Sequence, residues 1–529
     1  MASRYSTPLL SSTQKQFRLK TTRASALGRY PRIKYAISAL LLLSLFSFMH
    51  NEDGVRKFAV YYAASLFPQP PDEFRPPIYT ELREWEKNLP QHNPDLPFPE
   101  GKDGRYVLFS NSRVNLLGWN NKLNDMLLNT WLAHASNRAY VFHDFAWAET
   151  HYPWPVSSYR EWHPRTPLNA LFAGPSSGAP WEPTDNAPRA VALSYFDEVC
   201  PEAERRKINT RDVKPALENA DGRVIFETWS TLLSEASERC IEIVAPSQEE
   251  DAWPEVWDMW FWGSERSISL WDAFIASPVS RLLGTSPIVQ SAIDDNLGLF
   301  IPSTPAPLLS SSLSPSNEHA TSSTGSRRAI DPFAHVFAIH VRRGDFKEAC
   351  VEHAQLNSSF YNWNLLPALP DRYTPPLPPD GIQPAPGAHT LENARAILER
   401  CLPSIDAIVR KVREAKEDYS RSLQHSRSGQ KKKKKHEPEL DVLYVMSNDR
   451  TEWLHALLDD LKEDGNWALI VVNRDLKMSP QQKDVGVAVD MDIGRRAAVF
   501  IGNGWSSFTS NVVHRRLADG KAPISIRFW

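Results

Sequence analysis

The chain has 529 residues, 42% hydrophobic and 23% charged, which excludes a wholly disordered or fibrous protein. Sixty Lys+Arg against 63 Asp+Glu leave a net charge of −3, so there is no basic field of the kind nucleic acid requires. Four cysteines are too few for a disulfide-built scaffold, and 42 prolines against 22 glycines point to many rigid connections.

Residues 1–34 carry eight basic residues and no acid: Arg4, Lys15, Arg18, Lys20, Arg23, Arg29, Arg32 and Lys34. The uncharged run Tyr35–Met49 follows, then Glu52 and Asp53. An apolar helix with its positive flank on the N-terminal side predicts a cytoplasmic tail (1–34), a single-pass type II membrane anchor (35–49) and a lumenal remainder in the Golgi or ER, a cleaved signal peptide or a buried helix being the alternatives. Fifteen residues rise only about 22 Å, so a thin bilayer and snorkelling by Lys34 are needed. A lumenal chain favours disulfides. Cys200, Cys240, Cys350 and Cys401 allow three pairings, of which the expectation is the sequence neighbours, Cys200–Cys240 and Cys350–Cys401. Asn357 heads the only glycosylation sequon, Asn357-Ser358-Ser359.

Residues 50–100 read as a Pro-rich stem with a short helix near Ile78–Lys87, order beginning at Arg105. A strand at Arg105–Phe109, a glycine-entered helix over Leu116–Ser136 and a strand at Arg138–Phe142 predict a βαβ unit and a parallel sheet. Trp253, Trp257 and Trp260 at i, i+4, i+7 read as a buried helical stripe. Residues 302–330, rich in Ser and Pro, read as a linker between an N-terminal domain (101–301) and a C-terminal one (331–529). After it the alternation resumes: strand His335–Val341, a helix within Leu391–Lys416, strand Val442–Met446, helix Glu452–Leu461, strands Ala468–Val472 and Ala497–Ile501, and helix Ser507–Leu517. The five-lysine run Lys431–Lys435 lies in a stretch, 421–438, read as a solvated, disordered insertion.

Three stretches carry chemistry. The first is Ala338-Ile339-His340-Val341-Arg342-Arg343-Gly344-Asp345, an apolar strand ending in two cations and an acid. Alternation sends Arg342 and Arg343 to opposite sides, so one can enter a crevice beyond the strand end. A guanidinium there suits a diphosphate; a structural pair with Asp345 is the alternative. The second is Phe500-Ile501-Gly502-Asn503-Gly504-Trp505-Ser506-Ser507-Phe508-Thr509, where two glycines would let the backbone approach a ligand and hydroxyls at a helix N-terminus would hold phosphate. The third is Gly118-Trp119-Asn120-Asn121, whose amides could meet a sugar or simply start a helix.

Together these resemble the GDP-fucose-dependent fucosyltransferase superfamily, protein O-fucosyltransferases and their α1,6-fucosyltransferase relatives. The family's His-x-Arg-Arg-x-Asp strand end is matched by His340–Asp345, and its Phe-Ile-Gly-Asn-x-x-Ser-Ser-Phe by Phe500–Phe508. The resemblance implies an α/β, GT-B-like fold of two Rossmann-like domains and a lumenal, metal-independent, inverting transfer of fucose from GDP-fucose to a protein or glycan acceptor. By the same resemblance Arg342 is catalytic. His340, Arg343, Asp345, Asp490 (reading guanine), Gly502, Asn503, Ser506, Ser507 and Phe508 serve the donor. Gly118, Asn120 and Asn121 lie on the sugar or acceptor side. No general base is assigned, Asp125 and Asp144 being candidates only. Two readings compete. Asp490-Met491-Asp492 spells D-x-D, a metal-dependent signature. The same pocket could also bind a sugar nucleotide or glycan without turnover.

Overall fold

The computed structural model describes residues 75–113, 117–148, 151–155, 158–159, 164–301, 331–375, 390–427 and 440–529. The expected tail, anchor and linker at 1–34, 35–49 and 302–330 lie outside the described residues. Among the described residues no helix is long and apolar enough to cross a membrane. Strands are numbered in chain order, as are helices of eight residues or more.

The fold has two all-parallel sheets of five strands each. The first orders β5(Val191–Ala192), β2(Ala139–Phe142), β1(Tyr106–Phe109), β7(Cys240–Val244) and β6(Arg206–Asn209). A two-residue antiparallel pair, β3(Phe145–Ala146) and β4(Arg165–Thr166), stands beside it. The second orders β10(Leu469–Val472), β9(Val442–Ser447), β8(Val336–Val341), β11(Val499–Gly502) and β12(Ile526–Phe528). Counted along the chain that is 3-2-1-4-5, so strand order reverses between β8 and β11, the switch point where open α/β sheets form their crevice.

Helices cover both sheets: α1(Thr80–Lys87), α2(Trp119–Ala135), α3(Gly222–Glu235), α4(Pro287–Asp295), α5(Phe346–Gln355), α6(Leu391–Cys401), α7(Ile405–Arg427), α8(Glu452–Gly465), α9(Gly486–Arg496) and α10(Ser507–Ala518). All six residues of β8 are buried, as a central parallel strand requires. Its residues split by parity. Val336 and Ala338 join a core continuous with the first sheet, while Phe337, Ile339 and Val341 join a separate one under α7 and α8. The face of β8 that carries His340 is therefore the face toward the first domain. Helix α2 is buried almost all round, between the first sheet and α10, and Asn129 is satisfied at both ends of its amide: its Nδ2 donates to Asp125 Oδ2 (3.0 Å) and Trp257 Nε1 donates to its Oδ1 (3.1 Å). The disulfides are Cys200–Cys240 and Cys350–Cys401.

Four expectations are corrected. Residues from Arg75 to 100 are not a free stem. Tyr79, Leu89 and Gln91 are buried, and the Tyr79 hydroxyl donates to Asp484 (2.8 Å). That buried carboxylate, ending the short helix Pro480–Asp484, also accepts from Trp154 Nε1 and Thr166 Oγ1. The tryptophan stripe is absent: the helix in this stretch is only Met259–Trp262, so Trp253 and Trp257 lie ahead of it in irregular chain. Trp257 is buried, Trp253 half-buried, and Trp260 39% exposed. The helix expected within 391–416 is two, α6 and α7, since Leu402 precedes Pro403 and leaves helical geometry. The insertion expected over 421–438 starts late: α7 runs to Arg427.

Candidate functional site

Strand β11 pairs with β8 in register, Val499 with Phe337, Phe500 with Ala338 and Ile501 with Ile339. The segments that follow, Arg342–Asp345 and Asn503–Thr509, therefore leave the sheet side by side at the switch point. The two arginines part as alternation demands. Arg343 stacks over the Trp453 ring, 4.0 Å to its centre, and donates Nη1 to the Pro403 carbonyl, so it belongs to the wall. Arg342 Nη2 donates to Asp345 Oδ2 at 2.8 Å, with its guanidinium carbon 5.0 Å from the Phe346 ring centre. Asn448, beyond the end of β9, ties the turn: its Oδ1 accepts from Arg343 N (2.9 Å), and its Nδ2 donates to Arg343 O (3.1 Å) and Asp345 Oδ1 (2.6 Å). Gly344 occupies the left-handed region at φ +60. Against the burial that would raise it, the Arg342 and Asn448 bonds hold the Asp345 carboxyl below the usual carboxylate range, with His151 contributing from the first domain.

His340 is buried beneath this turn. Burial, reinforced by Arg342, pushes its imidazole down to about 3, so it is neutral at physiological pH. Its Nδ1 lies 3.5 Å from Thr509 Oγ1 and its ring 4.4 Å from that of Phe508, which sets a polar-edged apolar floor joining the two motifs.

On the β11 side several residues do other work than expected. A Cβ on Gly502 would lie 2.5 Å from the Thr509 side chain, and one on Gly504 2.3 Å from the Phe360 ring. Both glycines make room for protein atoms rather than for a ligand. Asn503 is buried, donating Nδ2 to the Cys401 carbonyl (2.7 Å) and accepting from Trp505 N (3.0 Å), so the Cys350–Cys401 bridge anchors the turn and the amide is spent. Ser506 Oγ is buried without a hydrogen-bond partner, whereas Ser507 is half-buried at the first position of α10. Of the hydroxyls the sequence proposed, Ser506 and Thr509 are buried and Ser507 alone of the three is half-exposed.

The third stretch faces α10. Asn511 Nδ2 donates to the Asn120 carbonyl (3.0 Å) and lies 3.3 Å from Asn120 Oδ1, bringing the start of α2 against α10. Gly118 caps α2 with open space where a Cβ would stand, and Asn120 and Asn121 are half-buried there. All three stretches thus meet around α10.

Asp490, expected to read guanine, sits in a protein hydrogen-bond network. Its Oδ1 accepts from Tyr444 (2.6 Å) and its Oδ2 from Asn473 (3.0 Å), so both oxygens are occupied by protein donors; burial raises its carboxyl to about 6 against those bonds. Asp492 is fully buried against Arg495, Arg496, Arg515 and Thr285. Two positions along α9 place the pair about 200° apart around the helix, so they cannot chelate one ion. The D-x-D reading fails on that geometry, and among the described residues no three metal-ligating side chains gather elsewhere. The Asn357 sequon is folded into the turn after α5: Asn357 has φ 51, its Oδ1 is buried, and Ser359 Oγ donates to Gly263 O.

Among solved structures, the chain is similar to POFUT1 in complex with GDP-fucose at 13% identity, the match covering 81% of this chain and 98% of that one with a TM-score of 0.43. POFUT1 in complex with GDP matches at 14% identity over 81% of this chain and 99% of that one, with a TM-score of 0.40. No protein-family profile and no curated protein matches the chain.

Sequence reasoning missed Asn448, His151 and Asn511. Asn448 was within reach: Ser447-Asn448-Asp449 is a polar run ending an apolar strand, the same signal that marked Arg342. The acids considered as bases are both engaged. Asp144 takes a two-point contact from Arg83 (3.1 and 2.8 Å), and Asp125 is buried within α2.

Proposed function

We propose that this chain is a GT-B-like glycosyltransferase that uses GDP-fucose, working from the lumenal side of a Golgi or ER membrane on a protein or glycan acceptor. The observation that carries the reading is the pairing of β8 with β11 at the switch point of the second sheet, which seats the Arg342 turn beside the start of α10. Fucose transfer by single displacement forms a bond between the acceptor oxygen and the anomeric carbon. It breaks the bond from that carbon to the β-phosphate oxygen, whose electron pair leaves with GDP, the acceptor's hydroxyl proton passes to water or to the departing diphosphate, and configuration inverts. Charge grows on the departing diphosphate, and a fixed cation beside it favours the transition state over the ground state. Arg342 fills that role. Asp345 and Asn448 orient its fork, and the N–H groups opening α10, with Ser507, add donors. Neutral His340 and Phe508 form the floor, and no metal is required.

The test is a thermal-shift and turnover series on the full-length protein. GDP and GDP-fucose raise the melting temperature, UDP has little effect, and GDP release continues in EDTA. An equal shift with UDP, or none with any nucleotide, refutes the reading. Donor binding without turnover across a broad acceptor panel would make the chain a sugar-nucleotide-binding protein instead.

A further inference from the structure

A second cavity, of about 230 Å³, opens at the carboxyl ends of β1 and β2, bounded by α2 and the β3–β4 pair. Its charges do not balance. Lys122 enters it but is neutralised by buried Glu255 at 2.9 Å. Asp144 enters it but is neutralised by Arg83. Arg113 and Arg165 also line it, and among the described residues neither forms an ion pair. The acids that Arg113 senses, Asp197 and Glu242, are themselves bound by Arg205. Among the described residues two guanidinium charges thus remain for a ligand. Both arginines keep solvent exposure at the cavity mouth; partial desolvation, with Arg165 nearby, lowers the pKa of Arg113.

His143 adds a chemical constraint. It is neutral, pushed down to about 4 by burial with Arg113 and Arg165 beside it, and its Nδ1 contacts the Asp144 carbonyl at 2.8 Å. A neutral ring that donates from Nδ1 leaves Nε2 as an acceptor, which suits a hydroxyl and not an anion. Met126 and Phe145 supply an apolar wall. A ligand that satisfies all of this carries an anion, hydroxyls and a carbon face together, as a sugar acid does. An Asp or Glu side chain offers the anion alone.

The cavity is also placed for an acceptor. Asn120, bonded to α10, and Met126, lining the cavity, are six residues apart on α2, about 9 Å along the axis. We propose that this cavity is an acceptor subsite for an acidic sugar, a pyranose whose carboxylate or sulfate is held by Arg113 and Arg165. The proposal rests on the glycosyltransferase reading and names its acceptor class.

The test uses the full-length protein, calorimetry and five probes: methyl β-glucuronide, methyl glucoside 6-sulfate, methyl β-glucoside, inorganic sulfate and a penta-glutamate peptide. The glucuronide or the sulfated glucoside binds, and the neutral glucoside binds at least about tenfold more weakly. The Arg113→Ala/Arg165→Ala variant loses about 10- to 100-fold in affinity for the acidic sugar, the effect of removing charged hydrogen bonds. Its GDP-induced thermal shift is unchanged, which also shows that it folds. Three results overturn the proposal: equal binding of charged and neutral glucosides, inorganic sulfate or the peptide binding at least as tightly as the sugar acids, or full affinity in the double variant. If acidic-sugar binding behaves as stated but GDP gives no shift, the donor assignment fails while the acidic-sugar site stands.

Discussion

Replacing Arg342 separates catalysis from stability. Its one ion pair, to Asp345, joins side chains 29% and 52% exposed, so solvent screens it and its loss costs at most about 1 kcal/mol of stability. No other hydrogen bond from its side chain appears among the described residues, and the Phe346 contact is at a ring distance of 5.0 Å. A preorganised donor to a leaving diphosphate is worth about 3–4 kcal/mol, or roughly 10²–10³ in kcat. Arg342→Ala therefore lowers kcat for GDP release from GDP-fucose by about 10²–10³-fold while the melting temperature barely moves. Arg342→Lys keeps the charge without the fork and falls between. Asp345→Asn loosens the orientation alone and costs about tenfold, less than the full transition-state term. Parallel measurement of kcat and melting temperature on all three variants decides the matter. A kcat for Arg342→Ala within about threefold of the parent refutes the assignment, and so would a drop in activity that merely tracked a collapse in melting temperature.

Further outcomes follow from the buried groups. Burial raises the Asp125 carboxyl from 3.8 to about 7, with Glu255 reinforcing it. Between pH 4 and 7 the folded state holds a proton that the unfolded state has released, so stability falls as pH rises, by on the order of 4 kcal/mol in all. Asp125→Asn should remove that slope and gain stability at pH 8 but not at pH 4; parallel denaturation curves at every pH would contradict the cause given. Ser506→Ala deletes a hydroxyl with no partner and leaves stability unchanged or up to about 1 kcal/mol higher, whereas Ser507→Ala weakens GDP binding about tenfold. Calorimetry showing the reverse pattern would exchange their roles. Gly504→Ala drives a methyl into Phe360 and costs about 1–3 kcal/mol, read as a lower urea midpoint; an unmoved midpoint would show that the ring yields freely.

The parts legible in the sequence share a physical cause. An apolar run that stops abruptly in charge or glycine marks a central parallel strand reaching its crevice, so the ends of β8 and β11 could be read from local pattern. What escaped depends on partners far along the chain. Nothing near residue 343 announces that Asn448 will hold its backbone, and nothing near Gly504 announces Phe360. The two glycines read as room for a ligand, but the groups that approach them are the protein's own, the Thr509 side chain at Gly502 and the Phe360 ring at Gly504. Asp490 and Asp492 looked like a pair in one dimension and are divided by the turn of a helix. The tryptophan spacing satisfied the helical period, but the helix begins only at Met259, so Trp257 is buried from an irregular segment.

The hub at Asp484 bears on where the working part of the molecule begins. One carboxylate in the second domain gathers hydroxyl and indole donors from Tyr79, Trp154 and Thr166. A shortened chain opening at Arg105 would forfeit the first of them and bare the surface that Leu89 and Gln91 cover. A faithful fragment therefore opens ahead of Tyr79, and the stretch from Tyr79 to the first strand acts as a strap across the two domains.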